Sequence, residues 1–139
     1  MTTKVVLLVE DNDDNRNVYS LLLRHVGYEV VEASDGQAAI EAVLTRKPDL
    51  ILLDISIPKI DGWTVARMLK DVPATSTIPL VAVTAHAFQK DRAIATEIGF
   101  AAYMAKPVEP RDVMKCVEQL IGPPETTESG VKPCSIAVA

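Results

Sequence analysis

The chain has 139 residues, of which 48% are hydrophobic and 24% charged, and its formal net charge is -5. This length suits one globular domain, and the acidic balance disfavours direct binding to nucleic acid or to an anionic membrane. No apolar stretch of the sequence approaches the roughly 18 residues that a membrane span needs. Its cysteines, Cys116 and Cys134, have no metal-binding spacing, and such sparse cysteine usage favours a location in the reducing cytoplasm.

Five apolar runs predict five strands. They show little alternation between apolar and polar residues, which is typical of strands buried on both faces of a parallel sheet. The runs, in chain order, are KVVLLV (4–9), YEVVEA (28–33), DLILLD (49–54), PLVAVT (79–84) and AAYMAK (101–106).

The segments between these runs carry apolar residues at the 3.6-residue helical period. The predicted helices cover residues 14–26, 37–46, 61–71, 87–98 and 109–121. Their predicted apolar faces consist of Val18, Leu21, Leu22 and Val26, then Ala39, Ile40, Val43 and Leu44, then Val65, Met68, Leu69 and Val72, then Ile94 and Ile98, and lastly Val113, Val117, Leu120 and Ile121. Strands and helices in alternation predict an α/β domain, with right-handed crossovers that place helices on both faces of a parallel sheet.

The composition changes at Pro123. The stretch PPETTESGVKPCSIAVA is rich in Pro, Ser, Thr and Glu and has no periodic pattern long enough for a helix or strand. Such composition is typical of flexible chain ends. The sequence therefore predicts a folded domain at 1–122 and a flexible tail at 123–139.

Polar residues end four of the predicted strands. Glu10 and Asp11 follow the first strand, Asp54 ends the third, Thr84 the fourth and Lys106 the fifth. In an open parallel sheet, ligands bind beyond the carboxyl ends of the strands. Three carboxylates there would repel one another unless a divalent cation neutralised them, and their oxygen ligands suit Mg²⁺. A lysine and a threonine beside them would hold a tri-oxygen anion, as in phosphoryl transfer, with Asp54 as the candidate nucleophile.

Each feature also has a plain structural explanation. Thr84 fits an ordinary β-branched strand residue, Lys106 a solvated surface lysine, and Tyr103 a core aromatic residue. Asp13 and Asp14 fit the start of the first helix, as caps or first-turn acids. The joint position of the polar residues at successive strand ends is what favours a chemical function.

Several motifs together carry a family resemblance. They are VEDN after the first strand, LLDISIPKIDGW around Asp54, VTA at Thr84 and YMAKP at the end of the fifth strand. With these motifs in this order, residues 4 to about 121 resemble the receiver domain of bacterial two-component response regulators. The resemblance implies a flavodoxin-like (βα)5 fold, a doubly wound parallel sheet with strand order 2-1-3-4-5. It also implies phosphorelay signalling by a protein that catalyses only its own aspartyl phosphorylation and dephosphorylation.

The resemblance implies roles for the strand-end residues. Asp54 resembles the phospho-acceptor aspartate, which takes its phosphoryl group from a histidine kinase or a histidine phosphotransfer protein. Glu10, Asp11, Asp54 and the backbone carbonyl of Ser56 resemble the Mg²⁺ site, and Lys106 resembles the lysine that contacts the phosphoryl group.

A conformational switch is also implied. Thr84 would move toward the phosphoryl group, and Tyr103 would turn inward into the space that Thr84 leaves. Ser56 and His86 occupy the two positions that tune phosphoryl lifetime in the family. The surface that contacts a downstream protein would be the fourth helix, fifth strand and fifth helix, about 87–121, and phosphorylation could produce a homodimer.

Other functions compete with this interpretation. A haloacid-dehalogenase-like phosphatase would carry a second Asp two residues after Asp54, where this chain has Ser56. A flavodoxin-type cofactor carrier would need a phosphate-binding loop after the first strand, where this chain has acids. A pseudo-receiver would act only as an interaction module. The start at Met1 and the tail favour a single-domain regulator, the alternative being a receiver fragment of a larger response regulator or hybrid kinase.

Overall fold

A parallel sheet forms the centre of the molecule. The computed structural model describes residues 3–85, 89–106 and 108–124. Its five strands are parallel and have the order β2-β1-β3-β4-β5, so the expected order 2-1-3-4-5 is confirmed. The strands are β1 (Val5–Val9), β2 (Glu29–Ala33), β3 (Leu50–Asp54), β4 (Leu80–Thr84) and β5 (Ala102–Ala105).

Burial explains why the strand sequences are so apolar. In β1, Val6 pairs with Val30 of β2 on one side and with Leu50 of β3 on the other. All residues of β3 and of β4 are buried. Both faces of these strands are therefore covered, and a polar residue inside either of them would lose its contact with water without a ready partner.

Helices cover the two faces of the sheet. They are α1 (Asp13–Val26), α2 (Gly36–Arg46), α3 (Gly62–Lys70), α4 (Pro73–Ser76), α5 (Gln89–Ile98) and α6 (Pro110–Ile121). The sequence did not predict the short helix α4, because a proline shortly after the predicted helix at 61–71 indicates the end of that helix. The structure places Pro73 at the start of α4 instead, where its missing N–H leaves no hydrogen bond unmade.

The sheet separates two hydrophobic cores. Residues of α1 and α6 pack on one face, with Leu23 and Val117 fully buried against Leu52 of β3. Residues of α2, α3 and α5 pack on the other face, where Val65 is fully buried against Leu53. This arrangement confirms the predicted doubly wound fold.

The predicted apolar faces of three helices are partly wrong. Five of their members are exposed in the structure, namely Val18, Leu21, Leu44, Met68 and Val72. In α1 the buried residues are Tyr19, Ser20 and Leu23. Ser20 is tolerated inside because its hydroxyl donates a 3.1 Å hydrogen bond to Glu32. A buried polar residue with its own partner shifts the contact face away from the one that apolar spacing indicates.

The end of α6 packs against the start of β1. The backbone N–H of Lys4 donates to the carbonyl of Pro124 over 2.8 Å, and the hydroxyl of Tyr28 donates to the carbonyl of Gly122 over 2.6 Å. The predicted boundary between a domain at 1–122 and a tail at 123–139 stays a prediction, since residues 125–139 lie outside the described part. Within that described part, no helix is both long and apolar enough to cross a bilayer.

Candidate functional site

Three acidic side chains meet at the carboxyl end of the sheet. Glu10 and Asp11 follow β1, and Asp54 is the last residue of the neighbouring strand β3. Glu10 and Asp54 are buried, at 2% and 4% exposure, whereas Asp11 is exposed. One carboxylate oxygen from each residue lies within 4.8 Å of the others. A donor set of carboxylate oxygens, partly open to water, fits a hard divalent cation such as Mg²⁺.

Lys106 brings a positive charge to the two buried acids. It follows β5, which is separated from β3 by β4, so its side chain reaches across the end of β4. Its Nζ donates to Oε1 of Glu10 over 2.8 Å and to Oδ2 of Asp54 over 2.9 Å. The backbone N–H of Lys106 donates to the carbonyl of Thr84 over 2.7 Å, which fixes the position of the backbone from which this side chain extends.

Burial and charge oppose each other in this cluster. Burial raises the pKa of Glu10, and the nearby Asp54 carboxylate raises it further, although the hydrogen bond from Lys106 works in the other direction. Burial alone would lower the pKa of Lys106, but hydrogen bonds and charge from Glu10 and Asp54 outweigh it and raise that pKa. The lysine is therefore held in its charged form, while the neighbouring carboxylates of Glu10 and Asp54 repel each other.

Arg16 supports the site, a role that the sequence did not suggest. Its guanidinium donates to the backbone carbonyl of Glu10 over 2.9 Å and also to the carboxylates of Asp13 and Glu32. The available signal was its position three residues after Asp13, the spacing of a helical ion pair. Asn12, rather than either aspartate that follows it, caps α1.

The first turn of α1 also restrains the acids. Asp13 and Asp14 are first-turn residues of α1, as the sequence predicted, so they act on the helix rather than in the acidic cluster. The backbone N–H of Asn12 donates to Oε2 of Glu10 over 3.2 Å. Glu10 is thus held through its main chain, its Oε2 and its Oε1, which leaves it little freedom to turn away.

The segment after β3 restrains Asp54. The backbone N–H of Ser56 donates to Oδ1 of Asp54 over 3.0 Å, while Lys106 occupies Oδ2. Both carboxylate oxygens of Asp54 therefore have fixed partners. The residue is therefore buried and held in one orientation, which suits a carboxylate that acts as a nucleophile.

Comparison with known proteins identifies the family. A model of the response regulator receiver domain matches residues 6–118, which is most of the chain. The chain belongs to the response regulator receiver domain family.

Individual relatives agree with this assignment. The chain is 34% identical over 120 residues to the polar-differentiation response regulator DivK of Brucella ovis, covering 86% of this chain and 98% of DivK. It is similar to the receiver domain of a sensor histidine kinase from Pseudomonas aeruginosa, solved with a magnesium ion in the active-site cleft. That match has a TM-score of 0.79 and 32% identity and covers 87% and 99% of the two chains.

A third match concerns the fold alone. The chemotaxis protein CheY4 of Vibrio cholerae has a TM-score of 0.81 at 23% identity, covering 86% of this chain and 99% of that one. Taken together, the matches identify the chain as a receiver domain of two-component phosphorelay signalling. The alternatives of a haloacid-dehalogenase-like phosphatase and a flavodoxin-type carrier are therefore set aside.

In this receiver, Thr84 and Tyr103 lie on one face of the sheet. Tyr103 pairs with Ala82, and Thr84 comes two residues after Ala82 on β4, so the side chains share a face. Both are buried, at 1% for Thr84 and 3% for Tyr103. The guanidinium of Arg92 on α5 lies 5.1 Å from the centre of the Tyr103 ring. Burial raises the pKa of this tyrosine, and the charge of Asp91 adds to that effect.

Two residues of predicted elements of the receiver lie outside the part of the chain that the structure describes. His86, the second position predicted to tune phosphoryl lifetime, lies outside the described residues. Phe88, the second residue of the helix predicted at 87–98, also lies outside them, and α5 begins at Gln89 within the described residues.

Proposed function

We propose that Asp54 accepts the phosphoryl group in this receiver domain. The observation that carries the proposal is the contact of Lys106 Nζ with Asp54, over 2.9 Å, and with Glu10, over 2.8 Å. These three side chains come from the ends of different strands and meet at the sheet edge where ligands bind in this class of fold. Two-component histidine kinases and phosphotransfer proteins are the corresponding class of phosphoryl donors.

The proposed metal ligands are Glu10, Asp11, Asp54 and the backbone carbonyl of Ser56. The spacing of the three carboxylates supports this, since their oxygens lie within 4.8 Å of one another. A bound Mg²⁺ would neutralise the acids and draw negative charge from the phosphoryl oxygens. The magnesium ion in the similar receiver domain from Pseudomonas aeruginosa supports the choice of cation.

The transfer step exchanges one bond to phosphorus for another. A carboxylate oxygen of Asp54 attacks the phosphorus of a phosphohistidine, and the P–O bond forms as the P–N bond breaks. The imidazole nitrogen leaves with the electron pair of the broken bond. In dephosphorylation a water molecule attacks the same phosphorus, which releases inorganic phosphate and restores the Asp54 carboxylate.

Lys106 and Thr84 would act on the transferred group. A cation among the acids would compete with Lys106 for Oε1 of Glu10 and Oδ2 of Asp54, the two oxygens that the lysine contacts. Because its ammonium already contacts Oδ2 of Asp54, Lys106 would lie within reach of phosphoryl oxygens carried by that residue and would stabilise their negative charge. Thr84 ends the strand beside Asp54, from which its hydroxyl would donate to the phosphoryl group.

The proposed switch couples this site to a partner surface. Phosphorylation replaces the single negative charge of the Asp54 carboxylate with the about 1.5 to 2 negative charges of a phosphoryl group, which also brings three acceptor oxygens. Thr84 would move toward them and Tyr103 would adjust with it, changing the surface formed by α5, β5 and α6. That surface would bind a downstream protein or a second copy of the chain. Ser56 and His86 would tune the lifetime of the phosphoryl group.

Three coarser features complete the proposal. The protein would act in the cytoplasm, which the sparse cysteines of the chain support. It would catalyse only its own phosphorylation and dephosphorylation, without direct contact with nucleic acid or membrane. Residues 1–122 would form the receiver domain, followed by a flexible tail at 123–139.

The test is phosphorylation by acetyl phosphate in the presence of Mg²⁺. A carboxylate oxygen of Asp54 attacks phosphorus and acetate leaves, so no partner protein is needed. On a phosphate-affinity gel we expect a shifted band for the wild type and none for Asp54→Asn. Asp49→Asn is the matched control, because Asp49 precedes the same strand at its opposite end and should keep the shift. An equal shifted band in Asp54→Asn would overturn the assignment.

A further inference from the structure

The segment between β3 and α3 rests on the start of α2. The backbone N–H of Gly36, the first residue of α2, donates to the carbonyl of Pro58 over 3.2 Å. Beside it, Nζ of Lys59 lies 3.5 Å from Oδ2 of Asp35, the residue that caps α2. Two backbone elements that are distant in sequence are thus joined by a hydrogen bond and an ion pair.

Only glycine permits this approach. A Cβ atom built on Gly36 would lie 2.7 Å from Cβ of Ile60 and would overlap the carbonyl oxygen of the same residue. Separations below 3.0 Å are essentially never found for real Cβ atoms. Since the obstacle includes backbone, any side chain at Gly36 would have to push the segment away from α2.

The segment that would be pushed is a tight turn. The N–H of Ile60 donates to the carbonyl of Pro58, two residues earlier, over 2.9 Å, and Lys59 between them has φ of +70°. A three-residue turn with this positive φ is strained for a residue other than glycine. Such a conformation persists only when surrounding contacts stabilise it. The hydrogen bond from the N–H of Gly36 to the carbonyl of Pro58 is such a contact.

This turn begins at Pro58, which is two residues after Ser56 and four after Asp54, the proposed phosphorylation site. Ser56, whose N–H holds Oδ1 of Asp54 over 3.0 Å, precedes Ile57 and Pro58 in the same segment. Ile57 is 7% exposed and so is fixed in the core, and the proline after it narrows its backbone freedom. A displacement at Pro58 is therefore passed to Ser56 and Asp54 instead of being absorbed between them.

We propose that Gly36 is a positioning residue for the Mg²⁺ site, acting through its contact with the segment from Ser56 to Asp61. The inference rests on the proposed function, because Asp54 and the carbonyl of Ser56 are proposed ligands of the cation. Gly36 is not itself one of the proposed ligands. It sets the position of two ligands from a helix on the far side of the turn, as residues that support metal ligands do elsewhere.

The experiment compares the Mg²⁺ affinity of Gly36→Ala with that of Gly99→Ala by isothermal titration calorimetry. Gly99 is the matched control, because its φ of +109° also disfavours alanine. A Cβ there would meet only the side chain of Lys70, at 3.5 Å, which is ordinary contact. We expect Mg²⁺ to bind Gly36→Ala about 10-fold or more weakly than wild type. We expect Gly99→Ala to match the wild-type affinity, even where its resistance to urea falls.

The outcomes separate this inference from the proposed function. A folded Gly36→Ala protein with wild-type Mg²⁺ affinity would overturn the positioning role, as would an equal loss of affinity in both variants. A wild-type protein that does not bind Mg²⁺ would instead overturn the proposed metal site.

A measurement on the wild type decides the matter if Gly36→Ala does not fold. In an NMR titration with MgCl2, the backbone amide signal of Gly36 should shift along the same saturation curve as that of Ser56. The amide signal of Gly99 should stay in place. A Gly36 signal that does not respond while the Ser56 signal shifts would overturn the inference.

Discussion

The ammonium nitrogen of Lys106 lies 2.9 Å from Oδ2 of Asp54, across the end of the intervening strand β4. The same nitrogen lies 2.8 Å from Oε1 of Glu10. Lys106 is therefore the counter-ion of both buried carboxylates, which are also two of the proposed ligands of Mg²⁺.

Replacing Lys106 by methionine should strengthen Mg²⁺ binding and slow phosphorylation by acetyl phosphate. Removing the lysine frees both carboxylates, so we expect Mg²⁺ affinity to rise about 10-fold, equivalent to one hydrogen bond between charged groups. Phosphorylation should slow because the phosphoryl oxygens lose their cationic partner. Calorimetric titration with MgCl2 and time-resolved phosphate-affinity gels measure the two effects.

The control for this prediction is Lys115→Met, since Lys115 is an exposed residue of α6. It should leave affinity and rate at wild-type values. A Lys106→Met protein whose Mg²⁺ affinity is unchanged or lower would contradict the competition between lysine and cation.

Replacing Asp11 by alanine should weaken Mg²⁺ binding by about 100-fold or more. Residues that merely support a metal ligand already contribute about 10- to 100-fold, and Asp11 would be a charged ligand in direct contact. Asp13→Ala is a close control, because Asp13 belongs to the first turn of α1 and pairs with Arg16. Equal affinities of the two variants in calorimetry would argue against Asp11 as a ligand.

The cap of α3 should make stability depend on pH. Oδ1 and Oδ2 of Asp61 accept hydrogen bonds from the N–H and the hydroxyl of Thr64, at 3.1 and 2.9 Å. Partial burial would raise the pKa of Asp61, but these hydrogen bonds outweigh it and lower that pKa below its ordinary value of 3.8. A carboxylate with a lowered folded-state pKa stabilises the protein above its unfolded pKa, and this contribution is lost as the pH falls through the folded value.

We therefore expect Asp61→Ala to lower the free energy of unfolding by about 1 kcal/mol at pH 7, the usual contribution of an N-cap. The difference from wild type should shrink as the pH falls below about 4. Asp61→Asn keeps the cap without the charge, so its stability relative to Asp61→Ala should not change over that range. Urea unfolding at pH 7 and at pH 3 measures the free energy of unfolding of each protein. An equal difference in this free energy between wild type and Asp61→Ala at both pH values would contradict the prediction.

The thiol of Cys116 should react slowly in the folded protein. It is 4% exposed on α6, and burial raises the pKa of this thiol to about 11. The thiolate is the reactive form, so the raised pKa of the thiol slows its attack on a disulfide reagent. The burial of the sulfur slows that attack further. In a Cys134→Ser background, where Cys116 is the one cysteine left, we expect slow absorbance change with Ellman's reagent at pH 8 and rapid change in urea. Equal rates in the two conditions would show that the thiol is accessible.

Much of the site was predictable from the order of the strands. The ends of parallel strands lie at one edge of a sheet, so Glu10, Asp54 and Lys106 could be placed together from their positions alone. Arg16 was not predictable in the same way. Its side chain reaches the carbonyl of Glu10 only because α1 packs back along the strand it follows, and an arginine in a first helical turn has many other partners available in sequence.

The buried faces of the helices were less predictable from the sequence than the strand ends. Apolar spacing placed Val18 and Leu21 of α1 in the core, where the structure has Tyr19, Ser20 and Leu23. The stripe of apolar residues is wider than the area that the sheet covers, so spacing alone does not choose among neighbouring faces. The choice was made by contacts between elements, such as the hydrogen bond from Ser20 to Glu32 on β2.

The sequence by itself determined the alternation of strands and helices, the parallel sheet and the gathering of acids at one edge. These follow from local periodicity and chain direction, which each segment carries alone. Only the tertiary structure decided that Lys106 reaches across β4 to both buried acids and that Gly36 meets the turn at Pro58. Those contacts depend on distances of a few ångströms between segments far apart in sequence, and packing of the whole domain sets such distances.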